Sequence, residues 1–73
     1  MQQFDLQGQP FITLNNLLKV LGWCASGGEA KQLVDAGLVK VDDTVELRRR
    51  CKIRSGQGVE IRGQRVEVVD LDG

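Results

Sequence analysis

"LNNLLKVLGWCASGGEAKQLVDAGLVKVDD", residues 14 to 43, is the stretch that decides the fold. Leu14, Leu17, Leu18 and Leu21 recur at i, i+3, i+4 and i+7, which is one apolar face of a helix. Thr13 precedes them at the cap position, and Gly22 follows where a left-handed residue closes a helix. A second helix opens at "SGGE", where Ser26 and Glu29 have capping-box spacing and can satisfy each other's backbone donors. Ala30, Leu33 and Val34 form its apolar stripe, Lys31, Gln32 and Asp35 its wet side, and Gly37 its stop. Helices of roughly nine residues are marginal alone in water, so both require a platform to lie on.

The flanking sequence supplies that platform as β structure. Residues 38–47, "LVKVDDTVEL", read as strand, turn, strand with Asp42-Asp43 in the turn. Upstream, Phe4 and Leu6 alternate about Asp5 before a "GQP" turn. Downstream, Val59 and Ile61 alternate with Glu60 and Arg62, and Val66 and Val68 flank Glu67, with Val69 closing the run. Gly63-Gln64 between them suits a two-residue type II′ hairpin turn. The expected class is α+β, with two short N-terminal helices packed on a small, mostly antiparallel sheet as one domain over residues 1–73.

Composition narrows the chemistry. Among 73 residues there is no histidine or tyrosine, and the two cysteines, Cys24 and Cys51, are not in a CxxC pair. A zinc site of Cys and His ligands is therefore not expected, and the cysteines read as small packing residues. General acid–base catalysis would fall to carboxylates, lysines or cysteines, yet Asp42-Asp43 and Asp70-x-Asp72 fall at a turn and a terminus. A non-catalytic protein without cofactors is expected. No apolar run approaches the roughly 20 residues that span a bilayer, and "MQQFDLQGQP" lacks a basic, then apolar, leader. A cytoplasmic location without a membrane partner follows as the expectation.

Ten basic and ten acidic side chains balance over the whole chain, yet five cations crowd into residues 48–54 with no acid among them. Such a run faces an anionic partner or is a well-solvated strand. If residues 47–54 are extended, Arg48, Arg50, Lys52 and Arg54 share one face. Leu47, Cys51 and Ile53 then take the other, where Arg49 is the odd cation. Lys40 bears the same parity relation to Val39 and Val41, and Lys31 lies on the exposed side of the second helix. Phe4, Phe11 and Trp23, the only aromatics, are not interleaved with these cations, which argues against a stacking platform for single strands.

The order of these elements resembles the S4 RNA-binding domain over about residues 13 to 61. That family combines a leucine-rich helix ending in glycine, a serine cap, a second helix carrying "EA", a "V.VNG" hairpin and a lysine–hydrophobic–x–x–glycine stretch. Here these correspond to Leu14–Gly22, Ser26, Glu29-Ala30, Val39–Asp43 and Lys52–Gly56. Small stand-alone bacterial members are the nearest likeness, through Gly22-Trp23, Ser26-Gly27, Ala30-Lys31 and Arg50–Ile53. The resemblance implies binding to structured RNA, with a place in ribosome or RNA metabolism. RNA-contacting candidates are Lys31, Lys40, Arg48, Arg49, Arg50, Lys52 and Arg54. Of three departures, the first two weaken the helix contribution and the third brings a negative charge to the edge of the face. The first helix begins "TLNN" without arginine, Gly27-Gly28 follow Ser26 where arginine is common, and Asp43 replaces the turn glycine. A monomer bound to structured RNA, ribosomal RNA included, is expected. The alternative is a protein-interaction module for an acidic partner protein, which the balanced net charge favours.

Overall fold

The computed structural model describes residues 2–71. Strands β1 (Gln2–Asp5) and β2 (Ile12–Thr13) come first, then helices α1 (Leu14–Val20) and α2 (Gly27–Asp35). Strands β3 (Val39–Val41), β4 (Thr44–Val45), β5 (Lys52–Ile53), β6 (Gly58–Ile61) and β7 (Gln64–Val69) complete the chain. The α+β class holds, but the helices are mid-chain rather than N-terminal. The first segment is claimed by the sheet: β1 pairs in parallel with β7, so both ends of the chain build one edge. The five-stranded sheet runs β1-β7-β6-β3-β4, and its other neighbours are antiparallel. A separate antiparallel ribbon joins β2 to β5.

The helix reading is borne out at the level of side chains. Leu14, Leu17 and Leu18 of α1 and Ala30, Leu33 and Val34 of α2 are buried against Val39, Val41, Val59, Ile61, Val66 and Val68 from the sheet. Burying a leucine or valine side chain stabilises by roughly 1.5–3 kcal/mol, so this cluster dominates the stability of a short chain. Both helices end the same way. Gly22 (φ 75°) and Gly37 (φ 74°) are left-handed. Trp23 N–H donates to the Leu18 carbonyl and Leu38 N–H to that of Leu33, closing a Schellman motif on each helix. Ser26 Oγ accepts the Glu29 N–H at 3.2 Å; Glu29 does not return the bond, so only half of the box is made.

Two turns set the registers. Asp42 (φ 52°) and Asp43 (φ 68°) occupy a left-handed pair between Val41 and Thr44, the type I′ geometry that favours Asp and Asn. Asp42 also accepts Gly58 N–H at 2.9 Å and the Gln57 amide at 3.2 Å, which locks the hairpin to the start of β6. The second hairpin corrects the sequence reading. Its turn is Arg62-Gly63 (φ 51° and 80°), type I′, and not Gly63-Gln64 in type II′. A turn at Gly63-Gln64 would set Arg62 opposite Arg65, whereas the observed register faces Arg65 with Glu60 at 3.6 Å. Opposite charges across a ladder stabilise and like charges repel.

Candidate nucleic-acid interface

The basic run does not form the strand expected of it. Only Lys52 and Ile53 are in β5, and the chain before them turns, with Cys51 N–H donating to the Arg48 carbonyl at 3.0 Å. Two sets of bonds outcompete an extended path. The first amides of α1 need acceptors, and Leu14 and Asn15 N–H donate at 2.9 Å to the carbonyls of Cys51 and Arg49. Thr13 occupies the cap position, but its side chain makes no capping bond. On the other side, Glu46 accepts the Arg48 backbone N–H at 3.0 Å and grips its guanidinium through Nε at 3.1 Å and Nη2 at 3.3 Å. The loop is therefore pinned on both sides through its backbone, while the side chains of Arg50, Lys52 and Arg54 remain exposed.

This geometry redistributes the predicted faces. Leu47, assigned to the core side by alternation, is 62% exposed because no strand alternation reaches it. Ile53 is buried, and Cys51 packs half-buried against the core. Arg48, Arg50, Lys52 and Arg54 are exposed, while Arg49 is half-buried above its carbonyl's bond to α1. A groove of about 610 Å³ runs between the β3–β4 hairpin and this loop, with Thr44 and Glu46 on one wall and Arg48, Cys51, Lys52 and Arg54 on the other. A second, of about 540 Å³, adjoins it and is lined by Arg48, Arg50, Cys51 and Lys52. Lys31 is exposed on α2, and Lys40 faces Val45 and Glu60 across the sheet; neither lines the grooves.

Electrostatics within the groove separate the cations. Arg48 is ion-paired by Glu46, whereas no ion pair engages Arg49, Arg50, Lys52 or Arg54 among the described residues. The Arg48 hydrogen bonds lower the Glu46 pKa from its ordinary 4.5 to about 2. Burial, then the Glu46 carboxylate, pushes the Cys51 thiol up, so it stays protonated at neutral pH. Asp43, whose charge stands where the turn glycine is common, is engaged by Arg65 at 3.1 Å.

The Glu46 pair yields a pH prediction. Its folded pKa is below the unfolded one, so the unfolded chain binds more protons at acid pH. The pair's contribution is complete above about pH 4.5 and disappears as pH falls toward 2. In urea titrations, the stability advantage of wild type over Glu46→Gln should therefore shrink across that window. An advantage constant from pH 6 to 2.5 would contradict the assignment.

A family model for the S4 domain matches residues 4–69 of this chain. The chain belongs to the S4 domain family. The S4 chain is 48% identical over 69 residues to Escherichia coli (strain K12) YbcJ, named as a candidate RNA-binding protein, covering 94% of this chain and 99% of that one. It has the same identity and coverage with a YbcJ of Shigella flexneri. Among solved structures, it is similar to the solution structure of Escherichia coli YbcJ, described as revealing an alfaL motif involved in RNA binding. The TM-score is 0.73, with 94% of this chain and 87% of that chain covered. No helix among the described residues is long and apolar enough to cross a membrane.

One residue beside the basic loop escaped the sequence reading. Phe11 lies 5.0 Å from Lys52 Nζ and 5.7 Å from the Arg54 guanidinium carbon, measured to its ring centroid. Phe11 thus lies among the cations in space though far from Lys52 and Arg54 along the chain. Only the β2–β5 pairing reveals the contact, and the brevity of those strands hides it from any periodicity.

Proposed function

We propose that this S4 domain binds structured RNA, as a monomer and without catalysing a reaction on it, through the loop of residues 48–54. One observation carries the reading: Arg48, Arg50, Lys52 and Arg54 line two adjoining grooves and, among the described residues, only Arg48 of these is ion-paired. Phosphates release counterions when such side chains approach, and arginine adds bidentate contacts to their oxygens. Backbone and shape recognition fit this surface better than single-strand stacking, because the one aromatic beside it is already engaged by cations. The RNA-binding description of Escherichia coli YbcJ supports the same direction. Lys31 and Lys40 then act at most as peripheral contacts, outside the grooves.

The test is a fluorescence titration against structured RNA hairpins, ribosomal fragments included, at several salt concentrations. With about four phosphates neutralised, log K should fall with log[salt] at a slope of about −3 to −4. A flat salt response, or a cellular complex that survives ribonuclease digestion intact, would overturn the proposal in favour of an acidic protein partner.

A further inference from the structure

Phe11 is half-buried yet stands outside the apolar rim, which consists of Phe4, Ile12, Leu21, Trp23 and Cys51 packed against the core. The ribbon register shows where its ring goes instead. Ile12 faces Ile53 and Thr13 faces Lys52, so one residue further out Phe11 falls beside Arg54, with Lys52 on the diagonal. Burial of Ile53 and packing of Ile12 turn one side of the ribbon inward, leaving the other to Phe11 and the two cations. A cation within about 6 Å of a ring centroid is attracted by the ring's quadrupole, and here one ring serves two. Lysine and arginine side chains otherwise lose rotamer freedom when an anion captures them, which subtracts from affinity.

We propose that Phe11 is a positioning residue for anion binding. Its ring holds Lys52 and Arg54 as one preorganised pair that grips the phosphate backbone of RNA. This role rests on the RNA-binding reading above. Phe11 needs no contact with a base; it acts through the two side chains above it.

Two measurements test the role. In carbon–proton NMR spectra of the free protein, the side-chain methylene protons of Lys52 and Arg54 should show ring-current shifts that Phe11→Leu abolishes and Phe11→Trp retains. In titrations with a structured RNA hairpin, Phe11→Leu should weaken binding by about three- to tenfold, and Phe11→Trp should restore it. The same Phe11→Leu change in a Lys52→Gln/Arg54→Gln background, read at low salt, should cost nothing further. An equal loss in that background overturns positioning, since the ring would then act through the fold or a base. Undiminished binding by Phe11→Leu overturns the role of Phe11 alone. Failure of the wild-type chain to bind RNA overturns the RNA-binding reading and this role together.

Discussion

Leu17→Ala is expected to lower the unfolding free energy by about 2–5 kcal/mol, through lost burial and the cavity left behind. Leu17, on α1, is fully buried in the core cluster that α2 and the sheet share. A chain of 73 residues has a total stability of only about 4–11 kcal/mol on typical per-residue values. The substitution therefore removes a large fraction of it, and the melting midpoint should drop by about 10–30 °C. Circular dichroism melts and urea titrations followed by Trp23 fluorescence would measure this. The comparison is Leu47→Ala, which removes the same atoms from a side chain 62% exposed and should change stability by no more than about 0.5 kcal/mol. Equal effects at the two leucines would mean that the core drawn around α1 is wrong.

That contrast also marks how far the sequence could be read. Leu17 was legible because helical periodicity is local: Leu14, Leu17, Leu18 and the stop at Gly22 stand within nine consecutive residues. The half-box at Ser26 and the Asp42-Asp43 turn are local in the same sense. Leu47 was misassigned because its environment is set by distant partners. The amides of Leu14 and Asn15 draw the carbonyls of Cys51 and Arg49 toward α1, and Glu46 folds back onto Arg48. No alternation rule applied to residues 47–54 contains that information. The parallel partner of β1 was hidden for a related reason, since it lies at the far end of the chain.

The candidate site was legible in composition and misread in geometry. Five cations in seven residues announced the segment, and the alternation of four of them suggested a strand face. The structure brings Arg48, Arg50, Lys52 and Arg54 together around grooves by a turn instead. What alternation could not separate is the cation held by a carboxylate from those with no ion pair among the described residues. Glu46 stands just outside the basic run, yet it takes two donors of Arg48 through its carboxylate. Asp43 looked like a negative intrusion on the site; its carboxylate is spent on Arg65.

Charge reversal gives the largest expected effect on binding. Arg50→Glu/Lys52→Glu replaces two groove cations that make no ion pair among the described residues with anions, so two phosphate contacts are lost and two repulsions added. Affinity for structured RNA near 0.1 M salt should fall by at least about a hundredfold, and the remaining salt slope should flatten by about two units or more. The necessary control changes net charge equally elsewhere. Lys19 lies in the last turn of α1, away from the N-terminal end that holds the loop, and Arg62 sits at the tip of the β6–β7 hairpin. Lys19→Glu/Arg62→Glu should therefore weaken binding only modestly, through the long-range field that salt screens over about 10 Å. All four substituted residues are exposed, so the variants should melt close to wild type. Equal losses in the two doubles would show that RNA responds to overall charge and not to the loop. A loss confined to Arg50 and Lys52 would tie affinity to the cations that α1's own N-terminal hydrogen bonds hold in place.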